Sequence, residues 1–209
     1  MPTTANARTL PAGFIITICQ EIIGYTCRVL LWAWGGYTLT AHLPKTLDRN
    51  QRYIIASNHQ SRLDPFAVFA LLDTRRRRRL LPVKSMTWVN IYYSPLVRPF
   101  AYVLGCFPSH HKEHSRVPFG LDASVHFLRE GYNIYIAPEG SRTLRKDSDP
   151  KSGVSKMLAA FPEANLVLVH LEWRVHSKWR RHLTITVAEA PANLDKSNPK
   201  AIMDAIYAL

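Results

Sequence analysis

The residue types that could carry out chemistry are concentrated in the stretch Ser57–Phe66, which contains His59 and Asp64 with four residues between them. A β-like run, residues 52–56, precedes this stretch, and an apolar run over residues 66–72 predicts a helix after it. Asp64 stands before a proline, which fits the N-cap of that helix. If the turn folds back, the Asp64 carboxylate can accept from one imidazole nitrogen of His59 and leave the other to take a proton. The pattern predicts a general base with its orienting group, or else a capping aspartate beside a packed histidine.

A second group of polar residues follows a predicted buried strand, residues 132–137, near the middle of the chain. Here Glu139, Gly140 and Arg142 come in quick succession. Gly140 permits close backbone approach, Arg142 can clamp an anionic group, and Glu139 can bind a ligand hydroxyl or hold the loop. In the alternative interpretation, Glu139 and Arg142 form only a local ion pair.

These blocks, in this order, resemble the glycerophosphate acyltransferase family, whose best-known members acylate lysophosphatidate. The resemblance covers roughly residues 52–187. Its blocks are Asn58-His59 with Asp64 as the His-x4-Asp motif, the weaker Gly105-Cys106-Phe107, Pro138-Glu139-Gly140-Ser141-Arg142, which is close to Pro-Glu-Gly-Thr-Arg, and Lys151-Ser152-Gly153 in the place of Lys-x-Gly.

The resemblance implies an enzyme that moves an acyl group from a thioester to a glycerolipid hydroxyl, with His59 as catalytic base and Asp64 as its partner. The implied donor is acyl-CoA or acyl-carrier protein. The implied acceptor is a lysophospholipid such as 1-acylglycerol-3-phosphate, in phospholipid biosynthesis. No cofactor and no metal are required. The residues that the resemblance assigns to substrate binding are Lys84, His111, Glu139, Gly140, Ser141 and Arg142.

The second block departs from the family form, Gly-x-x-Phe-Ile-x-Arg. Aligned from Gly105, the position of the arginine falls on His111. A protonated histidine can donate to an anion but lacks the two-pronged geometry of guanidinium. A different acceptor, such as a lyso-ornithine lipid or another lysolipid, therefore stays open. A metal site at His110, His111 and His114 is disfavoured, because no aspartate or cysteine partner is evident.

The formal net charge of +12 requires a polyanionic partner or surface. No nucleic-acid-binding motif accompanies the charge, so nucleic acid is not the predicted partner. An anionic membrane surface fits, because each Lys or Arg near an apolar anchor gains about 1 kcal/mol there. The five arginines Arg75–Arg79 form either a solvated loop or part of such a contact. A non-enzymatic basic protein that binds membranes is the remaining alternative.

Residues 13–34 have a helical pattern with a polar and an apolar face. Glu21 and Arg28 interrupt the apolar windows of about 18 residues that a crossing would need, so a spanning helix is not expected. An amphipathic helix in the membrane plane is expected instead, with Trp32 and Trp34 at headgroup depth; a core-packing helix is the alternative. The predicted location is the cytoplasmic face of the inner (cell) membrane, as a peripheral or monotopic protein.

Strands and helices alternate along the 209 residues, which predicts the α/β class with a mixed, mostly parallel sheet flanked by helices. We expect two parts: residues 1–45 as an N-terminal extension with the membrane-associating helix, and residues 46–209 as the acyltransferase domain. The three cysteines are odd in number and form no metal-type pair, so they are expected to be reduced. In such a fold His59 and the Glu139 loop converge at the strand ends.

Overall fold

A computed structural model describes residues 11–43, 47–48, 50–61, 64, 67–68, 74–110, 120–140, 149–177 and 180–209. Seven strands in the described residues form one sheet: β1 (Tyr37–His42), β2 (Tyr53–Ser57), β3 (Val83–Thr87), β4 (Cys106–Pro108), β5 (Asn133–Ile136), β6 (Asn165–Ser177) and β7 (Arg180–Glu189). Their order is β1-β7-β6-β2-β5-β3-β4. Every neighbouring pair is parallel except β6 and β7, which form an antiparallel hairpin.

Helices cover both faces of this sheet. They are α1 (Pro11–Trp34), α2 (Thr74–Leu80), α3 (Val89–Tyr92), α4 (Arg98–Val103), α5 (Leu121–Arg129), α6 (Gly153–Ala160) and α7 (Pro199–Tyr207). A further segment, called the motif helix below, is seen at the helical residues Asp64, Ala67 and Val68. The predicted α/β class, with a mixed, mostly parallel sheet flanked by helices, is confirmed.

The central strand β2 lies between two hydrophobic cores, one on each face of the sheet. All five of its residues are buried, as expected for a strand covered on both faces. Tyr53 and Ile55 pack on one side with residues of α1 and the motif helix, including Leu31 and Ala67. The alternate residues of β2 pack on the other side with α5, α6 and α7. The end of β2 therefore lies between two packed layers, which fixes the residues that follow it.

The N-terminal part is joined to the sheet. Strand β1 pairs in parallel with β7, with Tyr37 opposite Leu183. Residues 37–42 were predicted to belong to the extension, yet they form β1, an edge strand of the sheet that contains β2. At least this part of residues 1–45 is therefore built into the folded domain.

The polar side of α1 faces the domain. The Gln20 side chain donates to the carbonyl oxygens of Val83 (2.7 Å) and Leu104 (2.9 Å), and its own oxygen accepts from the Val83 N–H (3.1 Å). Glu21 accepts from the buried Arg77 of α2 at 2.6 Å. These contacts hold the helix on the domain and turn its apolar side outward.

The outward side of α1 is apolar and exposed. Its exposed residues include Phe14, Ile15, Ile22, Val29, Leu30 and Trp32. By length and composition alone, residues Ala12–Trp34 are apolar enough to cross a membrane. Glu21 and Arg28 both lie within this segment, and whether it crosses or lies in the membrane plane stays a prediction. The N-terminal helix is a candidate membrane-associating segment.

Candidate active site

The site is assembled where two neighbouring parallel strands end. Ala56 of β2 lies opposite Ile136 of β5, so the residues that follow them emerge at the same edge of the sheet. His59 and Glu139 each follow this pair of residues by three positions. The backbone N–H of His59 donates to Glu139 Oε2 at 2.7 Å, so the two predicted loops do converge.

The predicted hydrogen bond between His59 and Asp64 is present, with Nδ1 and Oδ2 3.0 Å apart. The same oxygen accepts from the backbone N–H groups of Gln60 and Ser61, each at 2.7 Å. These two donors precede Asp64, so its carboxylate folds back over the turn. Asp64 is fully buried, whereas the His59 side chain is 23% exposed. The imidazole is therefore held by Asp64 at Nδ1, while part of the ring stays accessible to solvent.

Trp173 of β6 completes the set of donors around Asp64. Its indole Nε1–H donates to Asp64 Oδ1 at 2.9 Å, so both carboxylate oxygens are engaged. The Trp173 ring also lies 6.3 Å from that of Trp34 at the end of α1. The sequence analysis missed this residue, because an indole donor in a distant strand carries no motif. Three N–H donors, from Gln60, Ser61 and Trp173, are thus aimed at one carboxylate beside the imidazole, which suits its ionised form because that form can only accept.

The residues on either side of His59 are fastened to β6. The buried Asn58 side chain donates to the Leu171 carbonyl oxygen (2.8 Å) and accepts from the Leu171 N–H (2.7 Å). The Gln60 side chain accepts from the Trp173 N–H at 3.2 Å. β6 continues past the end of β2, where its backbone groups on that side have no strand to bond to. The side chains of Asn58 and Gln60 take the place of that strand. They fix the backbone of the turn that carries the imidazole.

Glu139 holds this loop from the other side. It is 3% exposed, and its two oxygens accept from the His59 N–H and from the Tyr207 hydroxyl, the latter at 2.6 Å. Burial raises the pKa of Glu139, while the hydrogen bonds from Tyr207 and His59 act in the opposite direction. Of the two predicted roles for Glu139, these contacts favour holding the loop over binding a ligand hydroxyl.

Gly140 follows with a backbone φ of +68°, a conformation that favours glycine. A side chain at this position would approach Lys151, with its Cβ 3.2 Å from Lys151 Cγ. The glycine therefore allows the loop to turn beside the residues that precede α6. Ser141, Arg142 and His111, which were also predicted to bind substrate, lie outside the described residues.

Lys84 is not brought to the dyad. In β3 it is level with Ile134 of β5, which pairs with Ile54, three residues before the end of β2. Because side chains alternate between faces, Lys84 lies on the opposite face from Ser57 and about 10 Å below the edge. Its Nζ lies 4.7 Å and 4.9 Å from the ring centroids of Phe127 and Tyr132. Burial lowers the pKa of Lys84. Lys84 therefore does not contact the dyad, and its role in substrate binding stays a prediction.

Within the residues that the structure describes, no group of three or more His, Cys, Asp or Glu side chains is arranged to hold a metal ion. Of the histidine cluster considered in the sequence, His111 and His114 lie outside those residues.

An apolar cavity of about 400 Å³ lies between α1 and the motif helix. It is lined by Cys27, Leu30, Leu31, Ala33, Trp34 and Ala67. Ala67 follows Asp64 by three residues, about one helical turn. Trp34 lies against the Trp173 ring whose N–H holds Asp64. The cavity is therefore next to the dyad, and its lining suits a hydrocarbon group.

An oriented histidine at the strand edge of an α/β sheet, beside an apolar cavity, could serve as a general base. Residues 38–170 match the family model described as Acyltransferase. This match covers more than half of the chain, so the chain belongs to the acyltransferase family, and the resemblance noted in the sequence is confirmed at that level.

A solved structure shows the same fold. The crystal structure of the 1-acyl-sn-glycerophosphate (LPA) acyltransferase PlsC from Thermotoga maritima superposes with a TM-score of 0.57 at 14% sequence identity. The match covers 91% of this chain and 77% of that one. No curated protein matches the chain. At this identity the structural likeness concerns the fold.

Proposed function

We propose that the protein transfers a fatty acyl group from acyl-CoA or acyl-carrier protein to the hydroxyl of a lysophospholipid such as 1-acylglycerol-3-phosphate, as a step of phospholipid biosynthesis. The observation that carries this proposal is the 3.0 Å contact between His59 Nδ1 and Asp64 Oδ2 in a chain of the acyltransferase family. An oriented imidazole is what a hydroxyl acceptor needs, because a hydroxyl is a poor nucleophile at neutral pH.

The steps follow from this contact. Nδ1 of His59 donates to Asp64, so Nε2 accepts the hydroxyl proton while the hydroxyl oxygen attacks the thioester carbonyl carbon. Asp64 stabilises the imidazolium that forms. The carbonyl group then re-forms, the carbon–sulfur bond breaks, and the leaving sulfur takes the proton from Nε2. His59 returns to its neutral form, and no covalent bond to the enzyme is needed.

Two features support a fatty acyl thioester as donor. The cavity between α1 and the motif helix offers about 400 Å³ of apolar space one helical turn from Asp64. The net charge of +12 suits either an anionic CoA or an acidic carrier protein. The cavity would hold the hydrocarbon chain, while the thioester would lie at the dyad.

The exposed apolar surface supports a membrane location for the acceptor. Beside the outward face of α1, the region of α3 and α4 exposes Leu96 (85%) and Phe100 (67%) together with Trp88 and Tyr102. α1 contacts α4, so the two exposed apolar regions belong to neighbouring helices. An apolar surface with aromatic residues on a basic protein is suited to an anionic membrane. The proposed location is the cytoplasmic face of the inner membrane, as a peripheral or monotopic protein.

Substitution of Ile22 tests this surface. Ile22 is 62% exposed on the outward face of α1. Ile22→Ser is expected to weaken binding to vesicles that contain phosphatidylglycerol by about 10-fold, because burial of such a side chain contributes roughly 1.5–3 kcal/mol. Sedimentation with the vesicles measures the change, and Ile22→Leu, which keeps the apolar surface, should bind like wild type. Equal binding by Ile22→Ser and Ile22→Leu would argue against this face as the membrane contact.

A panel of acceptors and donors tests the reaction itself. Purified protein should release thiol from long-chain acyl-CoA when lysophosphatidate is added and release little without an acceptor. A neutral lysolipid and a lyso-ornithine lipid are offered in parallel, because His111 stands where the family has the arginine thought to grip phosphate. His111→Arg should shift selection toward the phosphate monoester. The proposal fails if neither acyl-CoA nor acyl-carrier protein supports transfer to any of the acceptors.

A further inference from the structure

The last helix of the chain touches the catalytic loop through one side chain. Tyr207, at the end of α7, donates its hydroxyl proton to Glu139 Oε1 at 2.6 Å, and Glu139 Oε2 accepts from the His59 N–H at 2.7 Å. The buried Glu139 carboxylate thus joins α7 to the backbone of the proposed base, and the Tyr207 hydroxyl also meets the side chain of Asn58. Tyr207 lies outside residues 38–170, the part that matches the acyltransferase model.

The Tyr207 ring is held in place by its surroundings. Ile202, Met203 and Ile206 of the same helix are buried in the core cluster beneath the sheet. The ring also packs edge-on against His170 of β6, with centroids 5.5 Å apart and planes at 70°. The hydroxyl therefore reaches Glu139 from a fixed direction, so little conformational entropy is lost when the bond forms.

We propose that Tyr207 is a positioning residue, which fixes the Glu139 carboxylate and through it the backbone of His59. This inference rests on the proposed function of His59. A charge-assisted hydrogen bond to a buried carboxylate holds it more firmly than a neutral pair would. Without the hydroxyl, Glu139 can rotate or take up a proton, and an oxygen that carries a proton is a poorer acceptor for the His59 N–H.

Protonation of Glu139 gives the link a dependence on pH. The titratable groups that face its carboxylate are His59, Asp64, Tyr135 and Tyr207. Burial already raises the pKa of Glu139, and the Tyr207 hydrogen bond opposes that rise. Removing the hydroxyl should raise this pKa further. As the pH is lowered, the variant without the hydroxyl should therefore lose activity at a higher pH than wild type does.

The test compares Tyr207→Phe with Tyr37→Phe, which removes a hydroxyl from the edge strand β1. For Tyr207→Phe we expect kcat to fall by about 10-fold near neutral pH with little change in either KM, because binding groups are untouched. We would measure kcat between about pH 5.5 and pH 9. The rise of kcat on the acid side should occur at higher pH in Tyr207→Phe, so the difference in kcat from wild type should be smaller at the alkaline end. Tyr37→Phe should match wild type.

Glu139→Gln provides a second check. A glutamine can accept from His59 with its oxygen and donate to the Tyr207 oxygen with its amide, but it cannot titrate. In the Glu139→Gln background, Tyr207→Phe should therefore no longer move the rise of kcat on the acid side to higher pH. A shift of the same size in both backgrounds would overturn the role of Glu139 as the link.

Amide hydrogen exchange at His59, followed by NMR, does not depend on turnover. Exchange should be about 10-fold faster in Tyr207→Phe than in wild type or Tyr37→Phe, because its acceptor is held less firmly. This result would support the link even if the acyl-transfer panel failed. Unchanged exchange together with a kcat within two-fold of wild type at every pH would overturn it, as would an activity loss that merely follows the unfolded fraction.

Discussion

Alanine at position 59 is expected to lower kcat for acyl transfer by about 10²- to 10⁴-fold, the usual contribution of a positioned general base. The acceptor hydroxyl would then have to be deprotonated by water while the rest of the site stayed intact. The fold should tolerate the change, because the His59 side chain is partly exposed and Asp64 keeps its bonds to Gln60, Ser61 and Trp173. Thiol release from acyl-CoA with saturating acceptor measures the loss.

The matched control is His126→Ala. His126 is exposed on α5, where it pairs with Glu130 one helical turn away, and it is outside the candidate site. Its removal should leave kcat unchanged, while both variants should melt close to wild type. Acyl transfer by His59→Ala within a few-fold of wild type would contradict the proposed base.

The local part of the site was predictable because it lies within one turn of chain. His59 and Asp64 are five positions apart, so one turn of the chain is enough to bring the carboxylate to the ring. The convergence with Glu139 was predictable for a different reason. Parallel strands end at the same edge, so residues just beyond β2 and β5 become neighbours although 80 positions separate them.

The partners of the two carboxylates were not predictable. Trp173 is 109 positions from Asp64, and Tyr207 is 68 positions from Glu139. Each contributes one N–H or O–H donor, and any Trp or Tyr in the chain could have done so. Only the sheet order, which places β6 beside β2, and the packing of α7 under the sheet decide which ones reach the site.

Lys84 shows a related difficulty. The family pattern placed a lysine near the strand that leads to the site. Because side chains alternate between the two faces of a sheet, a shift of one residue along the strand decides which face the lysine is on. The register of β3 against β5 puts Lys84 toward Phe127 and Tyr132, away from His59. For α1, periodicity revealed two faces. Which face packs inward depended on Gln20 and Glu21 finding distant partners in Val83 and Arg77.

Asp64→Asn should be nearly as damaging as loss of the base, with kcat lowered by about 10²-fold or more, because an imidazole without its carboxylate is neither oriented nor stabilised when charged. All four groups that meet this carboxylate are donors. If the asparagine NH2 group faces Trp173, it meets the indole N–H, and two donors oppose each other. The asparagine oxygen then accepts from His59 but carries no charge. If the amide faces His59, the ring must accept at Nδ1, which leaves the proton on Nε2, the nitrogen that should act as base.

Either orientation leaves a buried donor unsatisfied, at a cost of about 1–3 kcal/mol, so the melting temperature should fall by several degrees. Adding Trp173→Phe removes one of the clashing donors. The double variant should therefore be more stable than the sum of the single changes predicts, by about 0.5–3 kcal/mol, while its kcat stays low because the charge is still missing. Denaturant unfolding and kcat of the four proteins measure both effects. Strict additivity would show that Trp173 and Asp64 do not act as a pair, and recovery of kcat would show that the carboxylate charge is not needed.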